Sequence, residues 1–150
     1  MDTPLINGLN INDHFIPFHK LSQWLTYSLI EPLEQYGVVV IEIDRLTGLA
    51  EYRNGGLFID KGVIQAKNDS VFGKSFSPED EIIIEWRALT ICLLDLIAEK
   101  IAQKLQKDSH EFPLAKVLQG GTWLAGREIA QKLRHDGAPP INIISDGTVF

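Results

Sequence analysis

The longest periodic stretch of the chain reads SPEDEIIIEWRALTICLLDLIAEKIAQKLQ and covers residues 77–106. Its beginning is typical of a helix, because Ser77 can cap, Pro78 suits the first helical position and Asp80 can reach back to the cap. Apolar residues then recur at three- and four-residue steps: Ile82, Trp86, Leu89, Leu93, Leu96, Ile97, Ile101 and Leu105. We therefore predict one long amphipathic helix that ends near Gln106.

The same periodicity predicts a helix on each side of this one. The upstream helix begins at Pro17, is kinked at Pro32 and ends before Gly37, a residue that suits a helix C-cap. Its apolar positions are Phe18, Leu21, Leu25, Leu29 and Leu33. The downstream helix covers residues 113–134, and the Gly- and Pro-rich residues 137–140 stop it. Helix therefore dominates the predicted fold.

Short β-strands are predicted in two places. Residues 38–43 form a β-branched run short enough for a buried strand, and residues 141–145 form another. Gly55-Gly56 is expected to break the chain, and residues 57–64 fit either a bent strand or a short helix. The predicted fold class is α+β and mainly α, with long packed helices and a small minor β-sheet.

Length and cysteine usage favour a single domain in a reducing compartment. The 150 residues suffice for a continuous core. We expect residues 1–16 to be an irregular N-terminal arm or linker and residues 17–150 to form one domain. The single cysteine, Cys92, lacks a partner within the chain and is expected to be an ordinary buried side chain, so a cytoplasmic location is predicted.

Composition argues against several function classes. The 20 acidic and 14 basic residues give a net charge of −6, so no nucleic acid partner is expected. No apolar run approaches the roughly 20 residues that span a bilayer, so no membrane partner is expected either. The four histidines match no metal-ligand spacing, and neither a metal nor another cofactor is predicted: they are His14, His19, His110 and His135.

The segment that follows the predicted strand of residues 38–43 carries the leading candidate residues, Asp44, Glu51, Arg53 and Asn54. Acids in such a position are held by a rigid scaffold and still reach solvent. A carboxylate there can activate water or stabilise an oxocarbenium-like charge, and an arginine beside it can hold a phosphate. The alternative is a plain turn with a salt bridge.

Further candidates lie on the predicted helices. His19 and Lys20 belong to a crowded polar helix start, where His19 can also be a simple cap. Glu85 lies on a stripe of acidic and small residues that is either a solvated face or a pocket wall, and with Arg87 it can form a structural ion pair.

Thr122 lies in a glycine-rich segment, next to Gly121 and Gly126. The glycine spacing is that of a phosphate-binding loop, but Arg127-Glu128 follows where Lys and then Ser or Thr are required. A nucleoside triphosphate loop is therefore excluded. We expect Gly120, Gly121 and Gly126 to allow close packing against another element, with a functional role for Thr122 and Arg127 as the alternative.

Several motifs are specific enough to resemble a known family. They are FHKLSQWLTYSL at 18–29, LTGL at 46–49, EYRNGG at 51–56, EWRALT at 85–90, GGTW at 120–123 and SDGTVF at 145–150. Together they resemble the uracil-catabolism protein family of fungi and bacteria, long described as a domain of unknown function. Its members are much longer, and the chain resembles their C-terminal part. The resemblance implies a role in pyrimidine catabolism, a further N-terminal portion, and a site that includes Asp146.

A weaker resemblance bears on the chemistry. Leu46-Thr47, Ala50-Glu51-Tyr52-Arg53, Gly62-Val63-Ile64 and Glu85-Trp86-Arg87-Ala88 look like the pattern of the queuosine-salvage proteins, N-glycosidases that release a base from a ribonucleotide. Those proteins tend to have Asp where this chain has Glu51. The resemblance implies that Glu51 is catalytic, with Asp44 as a second acid, and that the family hydrolyses a ribose–nitrogen bond such as that of ribosylurea or its phosphate. The residues then expected to contact this small nucleoside- or nucleotide-derived substrate are Arg53, Asn54, His19, Lys20, Glu85, Arg87, Thr122 and Asp146.

Two other functions remain open. Residues 38–41 followed by Glu42, Asp44 and Thr47-Gly48 superficially resemble the loop of a uracil phosphoribosyltransferase, although Ile43 separates the two acids and the expected Thr- and Gly-rich stretch is missing. The chain can also be a non-catalytic helical binding or assembly module. Its partner would then be the further N-terminal portion or a second copy in a homo-oligomer.

Overall fold

The long helix predicted from residue 77 forms, and it starts slightly later than expected. The computed structural model describes residues 5–6, 9–10, 18–108, 111–145 and 147–150. Within them, helix α3 spans Glu81–Leu105, with Asp80 as its N-cap and Gln106 in the left-handed conformation at its end. The Asp80 carboxylate does reach back, because it accepts a hydrogen bond of 2.7 Å from the Ser77 backbone N–H. The sequence pattern that predicted a helix cap therefore marks the turn that precedes the helix.

The other helices flank α3 in the chain. Their bounds are Lys20–Gln35 for α1, Tyr52–Asp60 for α2, Leu114–Val117 for α4 and Trp123–Leu133 for α5. A π-helical segment, Leu118–Thr122, joins α4 to α5, so the predicted downstream helix is continuous but locally widened. Within the described residues, no helix is long and apolar enough to cross a membrane.

The β-structure is minor, as predicted. Strands β1, Leu5–Ile6, and β2, Leu9–Asn10, pair in antiparallel fashion. Strand β3, Ser75–Phe76, pairs in parallel with β4, Asn142–Ile143, which lies inside the predicted last strand. The fold is therefore mainly α with a small β component. The division into an arm of residues 1–16 and one domain stays a prediction, because most of that arm lies outside the described residues.

Helix α2 runs through Gly55 and Gly56, where a break was expected. That expectation was wrong because packing, rather than intrinsic propensity, stabilises this helix. A Cβ atom on Gly55 would lie 2.6 Å from the Thr90 Oγ1 atom of α3, and one on Gly56 would lie 3.1 Å from Pro140 Cδ. The absence of side chains therefore lets α2 lie close against its neighbours.

The buried face of α3 differs from the predicted one. The buried residues are Ile83, Trp86, Arg87, Thr90, Ile91, Leu94 and Ala102. Leu89, Leu96 and Leu105, all predicted on the core side, are exposed. The buried face includes two polar residues whose groups find partners: Thr90 Oγ1 donates to the Trp86 carbonyl oxygen, and Arg87 Nη2 donates to the Phe18 carbonyl oxygen. Apolar periodicity cannot detect such positions.

The expected strand over residues 38–43 and the expected burial of Cys92 were both wrong. Residues 38–42 are irregular and lead into a 3-10 turn, Ile43–Arg45, instead of forming a buried strand. Val39 is 82 % exposed. No strand in the described part of the chain pairs with this run, so its β-branched residues have no sheet to join. Cys92, expected to be buried, is exposed because α3 turns that side outward.

Among the described residues, the core contains two apolar clusters, and both include side chains that pack against α2. One is formed by Leu49, Phe58, Leu94 and Leu118, and the other by Ile83, Trp86, Ile141 and Phe150. The Trp86 and Phe150 rings meet edge to face, with centroids 4.7 Å apart. Residues 148–149 also accept hydrogen bonds from the first backbone N–H groups of α1, at Lys20 and Leu21. The start of α1 is thus fixed to the end of the chain.

Candidate active site around Glu51

A buried loop held by α1 positions the leading candidate residue. Gln23 donates from Nε2 to Thr47 Oγ1 at 2.7 Å and to the Gly48 carbonyl oxygen at 2.9 Å. The Tyr27 hydroxyl donates to the Thr47 carbonyl oxygen at 2.7 Å. Burial, together with the nearby Asp95 carboxylate, raises the pKa of Tyr27 to about 12, so this hydroxyl stays a donor at neutral pH. These hydrogen bonds therefore hold in place the backbone that leads into Glu51.

Glu51 is the N-cap of α2. Its backbone is extended, with φ −123° and ψ 140°, and its Oε2 atom accepts a 2.8 Å hydrogen bond from the Arg53 backbone N–H. Acidic side chains suit this position because they satisfy an N–H group that the helix leaves unpaired. The side chain that was predicted in a turn is therefore fixed by a helix.

The Glu51 carboxyl is buried, with the residue only 5 % exposed. Burial raises its pKa above the ordinary value, and this effect outweighs the opposite influence of the Arg53 backbone N–H and of the Arg53 and Lys20 charges. A raised pKa keeps this carboxyl protonated at pH values where an exposed glutamate is already ionised. Such a group is suited to general acid–base catalysis.

Beside Glu51, basic and aromatic side chains alternate in a row, which we call the cation–aromatic row: Lys20, Tyr52, Arg53, Trp123 and Arg127. The Arg53 guanidinium carbon lies 5.0 Å from the Tyr52 ring centroid and 5.1 Å from that of Trp123. Lys20 Nζ lies 5.7 Å from the Tyr52 centroid, and the Arg127 guanidinium carbon lies 5.8 Å from the Trp123 centroid. These distances are in the range of cation–π attraction, which orients Arg53 between two rings.

Close packing of α2 on α5 creates this row. Gly126 of α5 contacts the Arg53 carbonyl group so closely that a Cβ atom would overlap with it. The expectation of close packing at the glycines near Thr122 is therefore confirmed for Gly126 and wrong for Gly120, where a Cβ atom would meet nothing within 4 Å. At the other end of α2, the Asp60 carboxylate pairs with both terminal nitrogens of Arg134 at 2.6 and 2.8 Å. This ion pair holds the two helices together at their far ends.

Two buried polar atoms near this crossing have no hydrogen-bond partner among the described residues. Asn54 donates from Nδ2 to the Leu49 carbonyl oxygen at 3.1 Å, while its Oδ1 atom is unpartnered. Thr122, at the end of the π-helical segment, has an unpartnered Oγ1 atom. An unsatisfied buried polar atom costs about 1–3 kcal/mol. Both residues are buried, with 0 and 2 % of their surface exposed, so these atoms are closed to a ligand in this conformation.

The remaining candidate residues have other roles in the structure. His19 is the N-cap of α1, where its Nδ1 atom accepts from the Ser22 backbone N–H at 3.3 Å, so the capping alternative holds. Arg87 is buried, and burial lowers its pKa; it donates to the carbonyl oxygens of Phe18 and Val149.

Glu85 is exposed and lines a separate cavity of about 290 Å³ beside Ile59. That cavity lies at the other end of α2, about 12 Å along the helix from Glu51.

The structure therefore brings together Glu51, Arg53, Lys20 and Asn54. Asp44 lies on the exposed 3-10 turn and is not among the described groups that act on the Glu51 carboxyl. Asp146 lies outside the described residues. Within the described ranges, no group of three or more His, Cys, Asp or Glu side chains could hold a metal ion.

The sequence reasoning missed Tyr52 and Trp123, which flank Arg53. Each aromatic residue stands next to or near an arginine in the sequence, as in Tyr52-Arg53, but only the packing of α2 on α5 reveals that the two rings enclose one guanidinium. The phosphoribosyltransferase resemblance depended on a strand over residues 38–41. Those residues are irregular, so its structural basis is missing.

An open cavity of about 560 Å³ separates α1 from α4. It is lined by Trp24, Tyr27, Ile30, Leu49 and Leu118, with Glu31, Glu34 and Lys116 among the polar residues. Leu49 also accepts a 2.8 Å hydrogen bond from the Glu51 backbone N–H. The wall of the cavity is therefore two residues from the candidate catalytic carboxyl.

Comparison with known proteins identifies the family. The family described as "Protein of unknown function (DUF1688)" matches residues 4–150. Protein urg3 of Schizosaccharomyces pombe is 45 % identical over 145 residues, which cover 95 % of this chain and 36 % of that protein. Uracil catabolism protein 4 of Lachancea kluyveri is 44 % identical over 157 residues, covering 92 % of this chain and 35 % of that protein. The chain thus spans about a third of the length of these relatives, and no solved structure matches it. It belongs to the DUF1688 family of proteins of unknown function.

Proposed function

We propose that the chain takes part in uracil catabolism and that the site around Glu51 contributes to hydrolysis of a ribose–nitrogen bond, as in ribosylurea or its phosphate. The name of the Lachancea kluyveri relative supports the pathway. The observation that supports the chemistry is the buried Glu51 carboxyl, with its raised pKa, next to the positive charges of Arg53 and Lys20. Buried acids of this kind recur at sites of acid–base catalysis.

The proposed reaction balances as a hydrolysis. Water adds to C1′ of the ribosyl group, the C1′–N bond breaks, and its electron pair stays on the departing nitrogen. Ionised Glu51 accepts the proton of the water and stabilises the positive charge that develops on the ribosyl group. The departing nitrogen gains a proton, so that urea and ribose, or ribose phosphate, are the products.

The cation–aromatic row supports a phosphate-bearing substrate. The chain as a whole carries a net charge of −6, yet Lys20 and Arg53 lie close to Glu51, and Arg127 contacts the same Trp123 ring as Arg53. The contacts of Arg53 with two aromatic rings, at 5.0 and 5.1 Å, restrict the motion of its guanidinium, which suits bidentate binding of phosphate. The unpartnered Asn54 Oδ1 and Thr122 Oγ1 atoms are proposed acceptors for ribose hydroxyl groups, and this role requires a local movement because both residues are buried.

The experiment uses a full-length relative, because this chain spans only about a third of such proteins. The Schizosaccharomyces pombe protein is assayed for urea release from ribosylurea, ribosylurea phosphate, uracil and uridine monophosphate. We expect release from a ribosylurea substrate and a loss of at least about 100-fold when the residue corresponding to Glu51 becomes Gln. The matched control is the Glu99→Gln equivalent, an exposed acid on α3. Equal rates for both variants would remove Glu51 from the mechanism.

A further inference from the structure

Helix α1 is apolar on two opposite sides, yet none of its residues is buried. One side carries Trp24, Tyr27 and Ile30, which line the cavity toward α4. The other side carries a stripe at four-residue steps that faces away from the rest of the protein, which we call the outer stripe: Leu21, Leu25, Leu29 and Leu33. A continuous row of exposed leucines along one side of a helix is typical of a surface that another segment covers, so the outer stripe is an uncovered interface.

The exposed apolar surface continues beyond the helix. Val38, Val39 and Ile41, in the irregular run that follows α1, are all exposed. Their β-branched side chains favour a strand, but no strand in the described part of the chain pairs with them. A run of this composition pairs readily with a strand of another segment, which then supplies the missing hydrogen-bond partners.

We propose that the outer stripe and residues 38–41 form the docking surface for the part of the family architecture that lies outside this chain. The Schizosaccharomyces pombe relative has about two thirds of its length outside the matched region. That length is enough to form at least one further domain. The docking surface does not depend on the reaction proposed above.

Charge argues against a second copy of this chain as the occupant. A symmetric dimer through this face would bring together two copies that each carry a net charge of −6, which disfavours self-association. The occupant is therefore the region of the longer chain outside the match, which would present apolar residues to the outer stripe.

A partner segment docked on α1 would also stabilise the candidate site around Glu51. Gln23 and Tyr27 of α1 hold the loop of residues 47–50, and that loop leads directly into Glu51. Outside this loop, α1 is fixed mainly at its first turn, through the bonds of Lys20 and Leu21 to residues 148–149. Covering the outer stripe would restrict the movement of α1 and, with it, of the loop.

The test places a photo-crosslinking amino acid in the full-length Schizosaccharomyces pombe protein, at the positions that correspond to Leu29 and Val39. A third variant carries it at the position of Lys100, an exposed residue of α3, as the control. Mass spectrometry of the cross-linked peptides identifies the neighbour. We expect Leu29 and Val39 to cross-link within the same chain to the region outside the match, and Lys100 to give a far lower yield.

Three cross-linking outcomes would overturn the proposal: cross-links between the matched regions of two copies, no cross-link from either test position, or an equal yield from Lys100.

A stability measurement provides an independent test of the docking surface. Leu25→Asp and Leu96→Asp replace leucines that are 59 % and 57 % exposed here. In this chain both are expected to leave Tm within about 2 °C, whereas in the full-length relative only the Leu25 equivalent is expected to lower Tm, by at least about 5 °C. Equal shifts in the full-length protein would also contradict the docking surface.

Discussion

Gly126 of α5 lies directly against the Arg53 carbonyl group of α2, with no space for a Cβ atom between them. This contact sets the distance between the two helices. It also fixes the geometry of the candidate site, because Arg53 reaches the Trp123 ring only while α2 and α5 stay this close. The same glycine therefore determines both stability and the orientation of the guanidinium.

Gly126→Ala is expected to lower the free energy of unfolding by about 1–3 kcal/mol, because the added methyl group must push the helices apart. Chemical denaturation monitored by circular dichroism measures the change. Gly120→Ala is the matched control, since a Cβ atom there meets nothing within 4 Å. A loss at Gly126 no greater than that at Gly120 would show that the helices adjust freely.

The ion pair at the far end of the same helices gives a second stability prediction. Asp60 is buried and makes a bidentate contact with the partly buried Arg134, so Asp60→Asn is expected to cost about 1–3 kcal/mol after allowance for solvent screening. The exposed pair of Arg45 and Glu42 is the comparison, and Glu42→Gln is expected to change stability by less than about 0.5 kcal/mol. Thermal unfolding of both variants measures the stability that each substitution costs. Similar losses of stability would mean that burial does not strengthen the Asp60 ion pair.

These contacts show what the sequence could predict. The long helix α3 was recognisable because its period persists over many turns, and the resemblance directed attention to Glu51. Helix α2 was missed because two glycines look like a break when their packing against Thr90 and Pro140 is unknown. The strand predicted over residues 38–43 failed for a similar reason: strand formation depends on a partner, which local composition does not reveal.

Arg53→Lys tests the aromatic enclosure of the guanidinium. Lysine keeps the charge but loses the planar group that lies between Tyr52 and Trp123. In the full-length relative, the equivalent change is expected to raise KM for ribosylurea phosphate by about 10-fold while KM for unphosphorylated ribosylurea changes little. Equal effects on the two substrates would argue against phosphate binding at Arg53.

Burial of Glu51 predicts a pH dependence of stability. Because its pKa is raised on folding, the folded state holds the proton over a pH window that begins at the ordinary value of 4.5 and extends upward to the raised pKa. Within that window stability falls as pH rises, since the folded protein binds more protons than the unfolded chain. Glu51→Gln removes this penalty and keeps a side-chain oxygen for the Arg53 N–H.

The difference in Tm between the Glu51→Gln variant and the original protein should therefore increase from pH 4 to pH 8. Differential scanning calorimetry at fixed ionic strength measures it. Asp44→Asn, which changes an exposed carboxylate, serves as the control and is expected to show no such trend. A constant difference for Glu51→Gln would mean that its carboxyl titrates normally.

The most direct test of the central claim is the pH profile of kcat/KM for urea release from ribosylurea phosphate by the full-length relative. If Glu51 is the acid–base group, the acidic limb should have an apparent pKa above that of an ordinary glutamate, and the Glu51→Gln equivalent should abolish this limb together with most of the activity. An unchanged rate and an unchanged acidic limb in that variant would contradict the assignment.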